Sequence, residues 1–397
     1  MRTIAAAMTA AVAVALGAVK SPHIVTVAQQ DSQRSPVDAP SVAVSADGRF
    51  VAFVSSARLA PADTNRFRDI YVLDRASGET ALESLGPDGG ASAADNDHPA
   101  ISGNGAILVY ETSGEVWLRD RLEGITRVIG AGANPTISHD GRVVAFNSTA
   151  ATHIPSPAAG GLSEDVYLYE VDTGHLRAIG AAGGVPSSGS RVTPSVSADG
   201  RYIAFAAAAS SPAHAARPLS QVYVWDSQLN TTTRVAEGWR PSISADGRYV
   251  AFVSGATNLV AGDRNRSPDV FLADLKTGSI ELVSRSAGGG SGNGTSIAPA
   301  LSADARFVAF QSIASDLVCA RRCAAADEDI NLLWDVFVLD RRDHSMTRLS
   351  ADAAGGWMEA SVGPALDSAG DVIAFSSRHP MDAADVKNDY DLFIVQR

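Results

Sequence analysis

The chain has 397 residues, 45% of them hydrophobic and 19% charged, with 35 glycines, few aromatics and a formal net charge of −12. That balance suits many short strands joined by tight turns, and it argues against a nucleic-acid partner, because an acidic surface repels phosphate backbones. The length allows either two or three ordinary domains or one repeat protein, so internal periodicity has to be read first.

Residues 1–20 read as an export signal. Arg2 supplies a short positive start, Ile4 to Leu16 form an apolar, alanine-rich run, and Gly17 and Ala18 are small enough for cleavage. The run is too short to span a bilayer comfortably, and no cysteine follows it to carry a lipid anchor. Cleavage predicts a periplasmic or secreted, monomeric protein with no stable membrane insertion; left uncleaved, the same run would act as an N-terminal anchor.

Next in order, His23-Ile-Val-Thr-Val27 has the look of a strand without a hairpin partner of its own. Beyond it one pattern recurs seven times over 21–397, clearest in Arg240-Pro-Ser-Ile-Ser-Ala-Asp-Gly-Arg-Tyr-Val-Ala-Phe-Val-Ser254. The turn glycine stands at Gly48, Gly105, Gly141, Gly200, Gly247 and Gly370, with Ala305 in its place once. Five residues later an aromatic follows every time, at Phe53, Tyr110, Phe146, Phe205, Phe252, Phe310 and Phe375. Asp-Gly between two apolar alternations is a strong hairpin signal, because glycine takes positive φ at no steric cost. The short run before the turn is strand a (Ser242 to Ser244 in the fifth copy) and the run after it is strand b. The recurrent aromatic on strand b is expected to fill the gap between neighbouring sheets.

A third strand follows in each copy, as in Asp69-Ile-Tyr-Val-Leu-Asp74 and Asp269-Val-Phe-Leu-Ala-Asp274, and then a fourth, as in Thr126-Arg-Val128. Four antiparallel strands per repeat make one propeller blade. The predicted fold is therefore all-β, a seven-bladed β-propeller. The seventh copy stops after strand c, so the strand at His23–Val27 is expected to complete it and close the ring, which removes exposed sheet edges.

The Pro-x-x-Ser-x-Asp-Gly-Arg-x-x-Ala-Phe unit resembles the repeat of TolB and related periplasmic propellers, over about residues 23–397. The resemblance implies the fold. TolB pairs its propeller with an N-terminal α/β domain and takes part in the Tol-Pal envelope system. No room for that domain lies between the signal and the first blade here, so a Tol-Pal role is not expected. Similar blades form the gating propeller of prolyl oligopeptidases, and related propeller lyases use histidines clustered round a metal.

Candidate site residues concentrate in the b–c connections. Asp63-x-Asn65-x-x-x-Asp69 recurs as Asp263, Asn265 and Asp269 and as Asp329, Asn331 and Asp335, with a variant ending Asp385-Val-Lys-Asn388-Asp-Tyr-Asp391. Oxygen side chains at positions 1, 3 and 7 could ring a calcium ion. Equally, the first Asp and the Asn could close Asx turns while the last Asp caps the start of strand c. Cys319 and Cys323 read as a small loop disulfide in an exported chain, or as two free thiols. The eight histidines show no metal spacing, no serine sits in a Gly-x-Ser-x-Gly elbow, and Gly288–Gly294 lacks the helix and Lys-Ser/Thr of a phosphate loop. The expected function is non-catalytic binding of a protein or glycan ligand at the b–c/d–a face. The alternative is a hydrolase or lyase acting on a peptide or polysaccharide in the central channel.

Overall fold

The computed structural model describes residues 23–27, 41–148, 165–179, 193–208, 220–318, 333–350, 360–378 and 390–397. They form seven four-stranded antiparallel sheets, six of them in plain a-b-c-d order. Blade 1 comprises Val42–Val44, Phe50–Ser55, Asp69–Asp74 and Glu79–Leu82; blade 5 comprises Trp239–Ile243, Tyr249–Ser254, Asp269–Asp274 and Ser279–Leu282. The seventh sheet pairs His23–Val27 with the last strand, Asp391–Gln396, in register from His23 opposite Gln396 to Val27 opposite Leu392. The ring is closed as the sequence pattern requires.

Each a–b hairpin is fixed by one repeated device. The serine before the turn accepts from the backbone N–H that starts strand b and donates to the turn aspartate, or in blade 2 to Asn104. In blade 1 the Phe50 N–H lies 2.9 Å from Ser45 Oγ, which lies 2.6 Å from Asp47 Oδ1. In blade 7 Asp367 stands in for the serine and its Oδ1 accepts from the Val372 N–H at 3.1 Å. Ala305, where the other copies have glycine, is held at φ +55°, a left-handed conformation that costs an L-residue about 1–2 kcal/mol.

The strand-b aromatics are buried, none more than 2% exposed. Each stacks on a cross-strand ring of strand c, such as Phe53 on Tyr71 and Phe252 on Phe271, both with centroids 5.9 Å apart. They fill the spaces between blades. Phe252 and Phe271 pack against Ala204, Val222 and Val224 of blade 4, while Phe53 and Tyr71 pack against Val372, Ala374, Leu392 and Ile394 of blade 7. The Arg of Asp-Gly-Arg grips the Asp that ends strand c through two hydrogen bonds, as between Arg49 and Asp74 at 3.0 and 2.7 Å. The Arg49 hydrogen bond holds Asp74 down at about 2.

Strand a lines the axis and is longer than the sequence implies. In blade 5 it begins at Trp239, three residues before the run Ser242–Ser244, because a bulge lets it carry Pro241. Blades 2, 3, 5, 6 and 7 share the bulge, and in each a left-handed residue followed by proline stands opposite the blade aromatic. The left-handed residues are His98, Asn134, Arg240, Ala298 and Gly363. Proline is tolerated there because an innermost edge strand at a bulge needs no ladder N–H.

Candidate functional site

The strand pairing fixes the two faces. The start of strand a pairs with the end of strand b (Asn96 with Thr112, Ser296 with Ser312), so b–c and d–a connections leave from one end and a–b and c–d turns from the other.

The a–b end of the axis is ringed by hydrogen bonds between neighbouring blades. The backbone N–H groups of Ala46, Gly103, Asp140, Ala198, Ala245, Ala303 and Ser368 each donate to a carbonyl of the next blade, at 2.8–3.2 Å, and the last of them returns to Ala46. The residue between the Ser and the Asp of each turn is small enough to meet its neighbours at the axis. A Cβ on Gly103 would come within 2.9 Å of the His139 carbonyl and 3.0 Å of Ala46 Cβ. Only His139 departs from this pattern. The repeated small residue was visible in the sequence, but its role as an axial ring was not.

At the opposite end, the bulges set polar side chains about the channel mouth. His98 Nδ1 lies 3.2 Å from Glu111 Oε2, and the Asn134 N–H of the next blade lies 3.3 Å from the same oxygen. Asn134 Nδ2 donates to Asn147 Oδ1 at 3.1 Å, and on another blade the Gly363 N–H donates to Gln311 Oε1 at 2.8 Å. Glu111, Asn147 and Gln311 each directly follow a strand-b aromatic, where blades 1, 4 and 5 have Val54, Ala206 and Val253. This polar interruption of an otherwise apolar strand is the mark the site leaves in the sequence.

The b–c loops of blades 1 and 5 lie on the same face. In blade 1 Asp63 is satisfied twice, accepting from the Tyr71 hydroxyl at 2.6 Å and the Asn65 N–H at 3.1 Å. Burial and the Asp63 hydrogen bond push the Tyr71 phenol upward. Asn65 Oδ1 accepts from the Phe67 N–H at 2.7 Å while its Nδ2 donates to the Ser92 carbonyl at 2.9 Å. Asp69 starts strand c and accepts from Ser84 Oγ at 2.6 Å, and that hydroxyl accepts from the Ile70 N–H. Burial pushes Asp69 up to about 6.

Blade 5 repeats the arrangement in part. Asp269 accepts from Ser284 Oγ at 2.7 Å and from Asn265 Nδ2 at 2.8 Å, and burial pushes it up to about 6 as well. Asn265 Oδ1 accepts from the Ser267 N–H at 2.8 Å. Both asparagines therefore close Asx turns, and both terminal aspartates cap strand c. Asp263 differs: it is 7% exposed, and among the described residues neither carboxylate oxygen has a hydrogen-bond donor.

In blade 6 Asp335 starts strand c and takes a hydrogen bond from Ser350 Oγ; Asp329 and Asn331 lie outside the described residues, as do Asp385, Asn388, Cys319, Cys323 and the proposed signal at 1–20. Among the described residues no three His, Cys, Asp or Glu side chains gather where they could hold a metal ion, and no helix is long and apolar enough to cross a membrane.

No protein-family model and no curated protein matches the sequence. Many solved structures match the fold. The β-propeller domain of the Trilobed protease from Pyrococcus furiosus aligns with a TM-score of 0.57 at 10% identity, over 90% of this chain and 93% of that one. Oligogalacturonate lyase from Vibrio parahaemolyticus aligns with a TM-score of 0.55 at 12% identity, over 96% and 98%. TolB from Acinetobacter baumannii also matches, with a TM-score of 0.45 at 15% identity over 76% of this chain, which spans 63% of that TolB chain. At these identities the likeness is one of fold alone: the chain is a seven-bladed β-propeller.

Proposed function

We propose that the chain is an exported, non-catalytic binding propeller that takes a protein or glycan ligand of the cell envelope at its b–c/d–a face. One observation carries the reading: the axial ring of inter-blade hydrogen bonds makes the a–b end a fixed collar of mostly small residues, so the polar side chains that differ from blade to blade gather at the opposite mouth of the channel. That mouth is where the bulged strands set His98, Glu111, Asn134 and Asn147 within hydrogen-bond reach of one another. Binding residues on loops and strand ends held by a rigid ring are the ordinary way a propeller works. The signal-like segment at 1–20 supports a periplasmic or secreted location, and the acidic surface argues against nucleic acid.

An enzyme acting on a peptide or polysaccharide has one observation in its favour. The His98–Glu111 pair at the mouth has the spacing of a base and the carboxylate that orients it. Both readings are tested by capturing ligands from envelope extract and on a glycan array with the full chain. The pair Glu111→Gln and Asn147→Ala should reduce retention at least tenfold, while Leu229→Ser on the opposite face leaves it unchanged. Equal retention by the two variants would overturn the placement of the site. Turnover of a captured polymer that is abolished by His98→Ala would replace binding with catalysis.

A further inference from the structure

The buried carboxylate of Asp263 is what the fold leaves unexplained. Removing an ionised carboxylate from water without donors costs several kcal/mol, and folds avoid it by pairing, protonation or a cation. Blade 1 shows what normally answers the need. There the Tyr71 hydroxyl lies 2.6 Å from Asp63 Oδ2 and 2.9 Å from the Ala57 carbonyl, bridging the loop to strand c. Blade 5 keeps the same strand pair, the same Asx turn and the same d–a hairpin bridge (Leu85 with Ala91, Arg285 with Ser291), but Phe271 replaces the tyrosine and brings no hydroxyl.

What surrounds Asp263 is oxygen-rich. Asp269 is near enough for the two charges to interact, and Asn265 ties Asp269 to the Gly292 carbonyl at 2.8 and 2.7 Å. Gly262 and Gly290, both at positive φ, bring the Gly262 carbonyl against the d–a loop. Every donor named in this set is an oxygen. Oxygen donors of mixed carboxylate and carbonyl type in an irregular loop suit a hard cation with loose geometry.

We propose that the b–c loop of blade 5 is a calcium site in which the Asp263 carboxylate is the anionic ligand, supported by Asp269 and completed by backbone carbonyls, and that the matching loop of blade 1 is not a site because the Tyr71 hydroxyl already serves Asp63. The site is independent of what the channel mouth binds. Weak extracellular calcium sites have dissociation constants of about 10⁻⁴–10⁻³ M, and binding to the folded state alone raises stability by mass action.

The test uses the full chain and calcium chloride alone. Calorimetric titration should give one saturable site, and 5 mM calcium, about ten times the expected dissociation constant, should raise the Tm by about 1–2 °C over chelator. Phe271→Tyr restores the hydroxyl, so it should fold with a Tm in chelator at or above wild type and lose the calcium response. Asp263→Asn should lose the response too, while Asp63→Asn keeps it. No saturable binding to wild type would overturn the proposal, as would a response undiminished in both Phe271→Tyr and Asp263→Asn. A Phe271→Tyr gain in chelator without any wild-type calcium response would assign the site to water and end the calcium reading.

Discussion

Blades 1 and 5 carry nearly the same b–c loop, yet they settle its buried acid differently. In blade 1 a tyrosine hydroxyl and a backbone N–H meet Asp63; in blade 5 the ring is a phenylalanine and, among the described residues, Asp263 meets no donor. The strand-c hydroxyl and the Asn65 N–H, not the Asp-x-Asn-x-x-x-Asp spacing, separate a self-satisfied turn from a loop that needs something from outside. The spacing itself is structural in both blades, since the Asn closes a turn and the last Asp caps strand c.

The largest expected effect tests what the two blades share. Phe53→Ala and Phe252→Ala should each cost about 3–5 kcal/mol, the usual range for a buried phenylalanine. Denaturant unfolding measures it, and losses below about 1 kcal/mol at both positions would remove the aromatic from the inter-blade core. Phe53 sits at the junction with blade 7 and Phe252 at an internal junction, so similar losses would also show that ring closure is as well packed as any other interface.

The next effect is a shared dependence on pH. Burial raises Asp69 and Asp269 from 3.8 to about 6. A raised folded-state value means that the folded form holds the proton more tightly. The associated stability is present below pH 3.8 and is lost as pH rises through 6. Each carboxyl should account for roughly 2–3 kcal/mol of that loss, at about 1.4 kcal/mol per pKa unit. Melting temperatures measured from pH 4 to pH 7 should fall, and the double change Asp69→Asn with Asp269→Asn should flatten the curve. If the blade 5 loop takes calcium, the cation should flatten the Asp269 share only, leaving the Asp69 share intact.

Tyr71→Phe turns the first blade into the fifth. Leaving Asp63 short of a donor should cost about 1–3 kcal/mol in chelator, and calcium should recover part of the loss. A variant as stable as wild type in chelator would mean that the hydroxyl was not what held Asp63. The smallest effect lies outside the two loops: Ala305→Gly relieves a left-handed alanine and should gain about 0.5–1 kcal/mol, since the strain removed exceeds the entropy glycine costs.

The fold was legible because its determinants are local and repeated. Asp-Gly or a close variant sets each hairpin, the aromatic five residues on sets each core, and the unpaired strand at His23–Val27 has one missing strand to fill. The site was less legible for a physical reason in each case. The axial ring is built from backbone groups, which sequence does not display. His98 and Asn134 acquire their positions from bulges, and a bulge opposite an aromatic appears only once two strands are paired. The loop motif was visible, but which copy is satisfied depends on residue 71 or 271 in the next strand. There Tyr and Phe serve the core equally well, and they differ only in what they offer the loop.

Anomalous diffraction from crystals of the full chain grown in calcium would test the blade comparison most directly. We predict a calcium peak against the Asp263 carboxylate and none against Asp63, where the Tyr71 hydroxyl should stand in the same place relative to the acid. A water with no anomalous signal beside Asp263, or equal peaks in both loops, would contradict the claim that one hydroxyl decides between them.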